Sequence, residues 1–73
     1  MKNLDLHSIS HENAKIIVED FILCNFMKLP IEIITGNSID MQNIVKKIVE
    51  EHKLRITPSH PNNLGSYIIN NSF

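Results

Sequence analysis

Ile31-Glu32-Ile33-Ile34-Thr35-Gly36-Asn37-Ser38 decides how this chain folds. Its first four residues are mostly β-branched and make a run long enough for a buried strand. Thr-Gly-Asn-Ser is turn chemistry, and either Asn37 or Ser38 offers a side-chain oxygen that can cap a helix. Downstream, Met41, Ile44, Val45, Ile48 and Val49 recur at helical spacing, which predicts a helix running to about His52. Upstream, Pro30 cannot sit inside a helix and so separates the strand from what precedes it.

What precedes it is another helix. Ser10 is a natural N-cap, and Ala14, Ile17, Val18, Phe21 and Ile22 form one apolar stripe in a predicted helix from about His11 to Lys28. Before that, Asn3-Leu4-Asp5-Leu6-His7 alternates apolar and polar at period two, the pattern of a half-buried strand, and Ser8-Ile9-Ser10 follows as a loop. At the other end, Leu54-Arg55-Ile56-Thr57 reads as a third strand ended by Pro58. Ser59 to Leu64 then reads as a polar loop, and Gly65 to Asn70 as a fourth strand. The order is βαβαββ. Strand, helix, strand favours a right-handed parallel crossover, so two helices with one apolar stripe each would cover one face of a four-stranded mixed sheet. The expected fold class is an α/β two-layer sandwich, a single domain over residues 1–73.

Composition bounds the function. With 73 residues, 42% of them hydrophobic, and a net charge of -1, there is material for one core, and any site has to lie on the surface or at a subunit interface. Near-neutral charge argues against a chain whose main task is coating nucleic acid, because phosphate affinity demands many Lys and Arg. No apolar run approaches the roughly 20 residues of a membrane helix, and Met1-Lys2-Asn3-Leu4-Asp5 lacks a secretory core, so a cytoplasmic chain without a membrane partner is expected. The single cysteine, Cys24, cannot form an intrachain disulfide and reads as a partly buried, inert thiol beside the first apolar stripe.

Alternation sorts the sheet residues. If Leu4, Leu6, Ile31, Ile33, Leu54, Ile56, Tyr67 and Ile69 face the helices, then Asp5, His7, Glu32, Ile34, Arg55, Thr57, Ser66 and Ile68 line an uncovered face. Such a face suits a nucleic-acid strand, a protein partner or a second copy of the chain, and a weak homodimer is expected for a domain this short. Ligand crevices in open α/β sheets lie at the carboxyl ends of parallel strands, where His7 ends the first strand and Thr35-Gly36 ends the second. Gly36 permits close backbone approach, and the helix that follows offers N–H groups and the positive end of its dipole to a phosphate. The plainer reading is that these four residues only turn the chain.

Leu4-Asp5-Leu6-His7, a helix, then Ile33-Ile34-Thr35-Gly36-Asn37-Ser38 before a second helix together resemble the small MutS-related (Smr) domain over nearly the whole chain. The family pattern opens with Leu-Asp-Leu-His-Gly and has a second motif of the form His-Gly-x-Gly or Thr-Gly-x-Gly. It closes with a late glycine leading into a hydrophobic strand, which Asn63-Leu64-Gly65-Ser66-Tyr67-Ile68-Ile69 resembles. The resemblance implies a two-layer α/β sandwich similar to the C-terminal domain of bacterial translation initiation factor three. It also implies endonuclease activity, since members nick DNA or cleave RNA, some of them on messages at stalled ribosomes. The pattern is broken at three places: Ser8 and Ser38 stand where it has glycine, and the pair Met41-Gln42 stands where many members have Leu-Arg. Glutamine cannot supply the charge-assisted bidentate bond of an arginine.

For cleavage, His7 is the candidate proton carrier, because imidazole titrates near neutral pH, and Asp5 on the same strand face is placed to orient it. RNA is the easier substrate, since its 2'-hydroxyl attacks the neighbouring phosphate with acid–base help alone. DNA hydrolysis normally calls for Mg2+ held by several carboxylates, and here only Asp5 and Glu32 offer themselves. No other cofactor is implied. Thr35, Gly36, Asn37 and Ser38 would grip a phosphate, and Lys46, Lys47, Lys53 and Arg55 would add sequence-blind attraction. His7 and His11 are split by a loop and lack the one-face geometry of a helical metal pair. His52 and His60 have no partner at ligand spacing and read as exposed, and Tyr67 reads as packing rather than base stacking. The reading is a nucleic-acid endonuclease of Smr type. The alternative is a non-catalytic module that binds nucleic acid, the ribosome or a protein through the open sheet face.

Overall fold

A computed structural model describes residues 1–72. Its elements are β1 (Asn3–Asp5), α1 (His11–Cys24), a 3-10 turn at Phe26–Lys28, β2 (Ile31–Ile34), α2 (Ile39–Glu51), β3 (Arg55–His60) and β4 (Asn63–Asn70). β1 runs parallel to β2, with Asn3 opposite Glu32 and Asp5 opposite Ile34, while β4 lies antiparallel to both β2 and β3. The strand order is β1-β2-β4-β3, a mixed open sheet of the class that the βαβαββ pattern implies. Leu6, Ile31, Ile33, Tyr67 and Ile69 from the sheet side join Ala14, Val18, Ile22, Met41, Val45, Ile48 and Val49 from the helices in one buried cluster, with Leu4, Leu54 and Ile56 packed at its margin. Both apolar stripes therefore close on the same sheet face, and removing this area from water is the main stabilising contribution.

Several boundaries differ from the sequence expectation, each for a local reason. α1 stops at Cys24 rather than Lys28, because Asn25 donates its side-chain amide to the Phe21 carbonyl at 2.8 Å while its backbone N–H serves the Phe21 and Ile22 carbonyls. A side chain that bonds the backbone in this way ends the helix. Ser10 and Ser38 cap α1 and α2, accepting from the Asn13 and Met41 amides respectively, so the choice between Asn37 and Ser38 falls to Ser38. α2 ends with the Lys53 N–H on the Glu50 carbonyl, the Leu54 N–H on the Val49 carbonyl, and Lys53 itself at φ +58. This is a Schellman arrangement, usually closed by glycine.

Pro58 does not end the third strand. β3 continues through it to His60, because β3 is an edge strand, and an edge tolerates a residue that has no N–H to give. The expected Ser59 to Leu64 loop is correspondingly a tight turn at Pro61-Asn62, and β4 begins at Asn63 instead of Gly65. Pairing slips between Pro58 opposite Tyr67 and His60 opposite Asn63, so β4 carries a bulge that contains Gly65. Among the described residues no helix is long and apolar enough to cross a membrane.

Candidate functional site

Because β1 and β2 are parallel, they finish at the same edge of the sheet, and the residues just beyond them meet. β1 pairing ends at Asp5, and the Leu6 N–H still donates to the Ile34 carbonyl at 2.9 Å, which carries His7 to the rim beside Thr35-Gly36. A Cβ built on Gly36 would stand 2.8 Å from His7 Nε2, so this position needs glycine both for its φ of +70 and for room. Ser8, which follows the histidine, also turns left-handed at φ +66.

Asp5 and His7 form a local pair. Asp5 Oδ1 accepts from the His7 backbone N–H at 2.9 Å and from His7 Nδ1 at 2.6 Å, and both side chains remain exposed. The His7 amide, then the imidazole, hold the Asp5 carboxyl below its usual range. An ionised carboxylate only accepts, so Nδ1 carries the proton, and in the neutral ring Nε2, the atom against Gly36, has the free lone pair.

The glycine turn is tied down from three directions. The Gly65 carbonyl accepts from the Thr35 N–H at 2.8 Å and the Gly36 N–H at 3.0 Å, while the Gly36 carbonyl accepts from the Gln42 side-chain amide at 3.1 Å and the Thr35 hydroxyl at 3.0 Å. One expectation is corrected by this. Thr35 is buried, and its hydroxyl and amide, like the Gly36 amide, are engaged inside the fold instead of facing a phosphate. Gln42, noted above as a departure from the Leu-Arg of the resembled pattern, braces the turn through its side-chain amide.

Between the rim and the β3–β4 hairpin lies a cleft of about 340 Å³. The parallel strands and their turns contribute His7, Glu32, Ile34, Gly36 and Asn37, and the hairpin contributes His60, Asn63, Gly65 and Ser66. Glu32 Oε2 accepts from the Ser66 hydroxyl at 2.7 Å and the Ser59 hydroxyl at 2.9 Å, and the two serine oxygens are themselves 2.9 Å apart. Ser66 first and Ser59 second hold the Glu32 carboxyl below its usual range against the opposing effect of burial, with a weaker attraction from His60. Ser66 was placed on the same sheet face as Glu32 from the alternation, whereas Ser59 and His60 were not expected at the site. The signal for them was the Pro61-Asn62 turn, since Pro is favoured at the second position of a β-turn.

Other candidates lie elsewhere. Lys46 Nζ sits 5.5 Å from the centroid of the Tyr67 ring, Lys47 lines a groove between the helices with Lys15 and Glu19, and Lys53 belongs to the α2 C-terminal cap. Arg55 opens β3 opposite Asn70, at the end of the sheet remote from His60 and Asn63. Among the described residues no lysine or arginine lines the cleft. Tyr67 is buried as packing, and its hydroxyl has no hydrogen-bond partner among the described residues. His52 is not a free surface residue: its Nε2 lies 2.8 Å from Glu19 Oε1, joining α2 to α1. Cys24 is exposed rather than partly buried, because it falls off the Ala14, Val18, Ile22 line of α1. Among the described residues no group of three or more His, Cys, Asp or Glu side chains is arranged to hold a metal ion.

Comparison with protein-family models, with curated proteins and with solved structures finds no match to this chain.

Proposed function

We propose that this chain is a nucleic-acid endonuclease of Smr type that acts on RNA in preference to DNA, with Asp5 and His7 performing the acid–base chemistry. The observation that carries the reading is the 2.6 Å bond from Asp5 to His7 Nδ1, which leaves Nε2 as the basic atom at the mouth of a cleft. A ring oriented through one nitrogen, with the other nitrogen unprotonated and the side chain largely exposed, is what a general base requires. In RNA it would take the 2'-hydroxyl proton as that oxygen attacks the adjacent phosphorus. DNA offers no such hydroxyl, and the two carboxylates near the cleft, Asp5 and Glu32, are each already held by hydrogen bonds. The backbone adds support for the family reading: Ser8 is left-handed where the Smr pattern has glycine, and Gly36 is left-handed where it has glycine too.

A second reading is favoured by one specific observation, the lack of cationic side chains lining the cleft among the described residues. On that reading the chain is a non-catalytic module that binds a nucleic acid, a ribosome or a protein through the open sheet face. Incubating the protein with labelled RNA and DNA, with and without magnesium, separates the two. RNA cleavage that falls by about 10²–10⁴-fold in His7→Ala, with unchanged thermal unfolding, is expected. Cleavage that survives the substitution refutes the catalytic assignment, and binding without cleavage favours the module.

A further inference from the structure

We propose that His60 is the second proton carrier of this site, a general acid facing the His7 base. The proposal rests on the RNA-cleaving reading and names a residue which that reading leaves out. His60 and His7 line the same 340 Å³ cleft from opposite sides, His7 from the parallel-strand rim and His60 from the β3–β4 turn. That volume lies within the about 300–1,000 Å³ usual for small-molecule sites, which gives room for a bound group between the two walls. The His60 ring is exposed and has no hydrogen-bond partner among the described residues, which leaves both of its nitrogens to a ligand. Its backbone is nonetheless anchored: Ser59, the preceding residue, is tied through its hydroxyl to Glu32 on β2 and stands 2.9 Å from Ser66 on β4.

Two imidazoles without a metal complete one reaction. His7 Nε2 removes the 2'-hydroxyl proton, the 2'-oxygen forms a bond to phosphorus, and the bond from phosphorus to the 5'-oxygen breaks as that oxygen takes a proton from His60. The products are a 2',3'-cyclic phosphate end and a 5'-hydroxyl end, and the two rings exchange protons with water to reset. No oxidant, reductant or further reactant is needed. The charged groups beside the pair are Asp5, bonded to His7 on its own turn, and Glu32 from β2, and no lysine or arginine among the described residues lines the cleft.

The test compares wild type with His60→Ala, His60→Gln and His7→Ala on an RNA oligonucleotide and on a ribonucleoside 3'-(4-nitrophenyl phosphate), whose leaving group departs without a proton. On RNA, both His60 variants are expected to lose about 10²–10⁴-fold in rate and the high-pH limb of the pH–rate profile. On the nitrophenyl ester they keep most of the wild-type rate, whereas His7→Ala loses it on both substrates. Binding of an uncleavable 2'-deoxy oligonucleotide is expected to be the same for wild type and both His60 variants. Wild-type cleavage that both His60 variants match overturns this proposal and leaves the endonuclease reading standing. So does an equal loss on both substrates, or a loss explained by weaker binding. Wild type that cleaves neither substrate overturns both.

Discussion

Gly36 serves two needs that no other residue meets together. Its φ of +70 costs an L-residue roughly 1–2 kcal/mol, and any Cβ there would press on the imidazole of His7. Gly36→Ala is therefore expected to lower stability by about 1–2 kcal/mol, read by denaturant unfolding, and to depress RNA cleavage while leaving Asp5 and His7 in the chain. A variant with wild-type cleavage would separate the imidazole from the chemistry. Ser8 and Lys53 show that positive φ alone does not demand glycine, since both adopt it in turns with open surroundings. At this scale Asp5, His7 and Gly36 were legible because strand ends and a turn bring them together by sequence order alone. Cys24 was misjudged because helical spacing from Phe21 places it near the stripe, while the line that is actually buried runs through Val18 and Ile22.

Glu32 ties three strands through one carboxylate oxygen: its own β2, and β3 and β4 through Ser59 and Ser66. Its carboxyl titrates lower in the folded chain than in the unfolded one, so the unfolded state binds the proton first and this stabilisation is present above about pH 4. It is lost as the pH falls through the folded value. Thermal unfolding is expected to drop below about pH 4 in wild type and to drop less in Glu32→Gln, which starts from a lower midpoint at neutral pH. Equal acid sensitivity in the two would show that the serine hydroxyls do not favour the ionised form. The hairpin that carries these serines was the part of the fold least legible in the sequence. Pro58 looks like a terminator until the strand order puts β3 on the edge, and strand order depends on pairing between distant segments that no local pattern reveals.

Across the molecule, charge and cleft are separated. The net charge is -1, and Lys46, Lys47, Lys53 and Arg55 are distributed over α2, its C-terminal cap and the far end of the sheet. Binding of single-stranded RNA in the cleft should therefore displace few counterions. With about two phosphate contacts or fewer, affinity is expected to fall by less than about tenfold between 50 and 200 mM salt, measured by fluorescence anisotropy. A steep dependence would move the bound strand onto those distant lysines. The layer arrangement was readable because both helical stripes and the core-facing residues of β1 and β2 follow their periods, while β4 breaks its alternation only at the Gly65 bulge. The basic residues were not placeable in the same way, since exposed side chains obey no period that fixes their position. The carbonyl of Gly65, shared by the successive amides of Thr35 and Gly36, has a mechanical consequence. It fastens the notch to the central part of the sheet, so the notch has little freedom to reshape itself, and on the proposed nucleic-acid reading any guest chain would have to supply the pliancy. On that reading a stiff duplex would be refused, whereas a lone strand with rotatable linkages would wind its backbone into so shallow a recess.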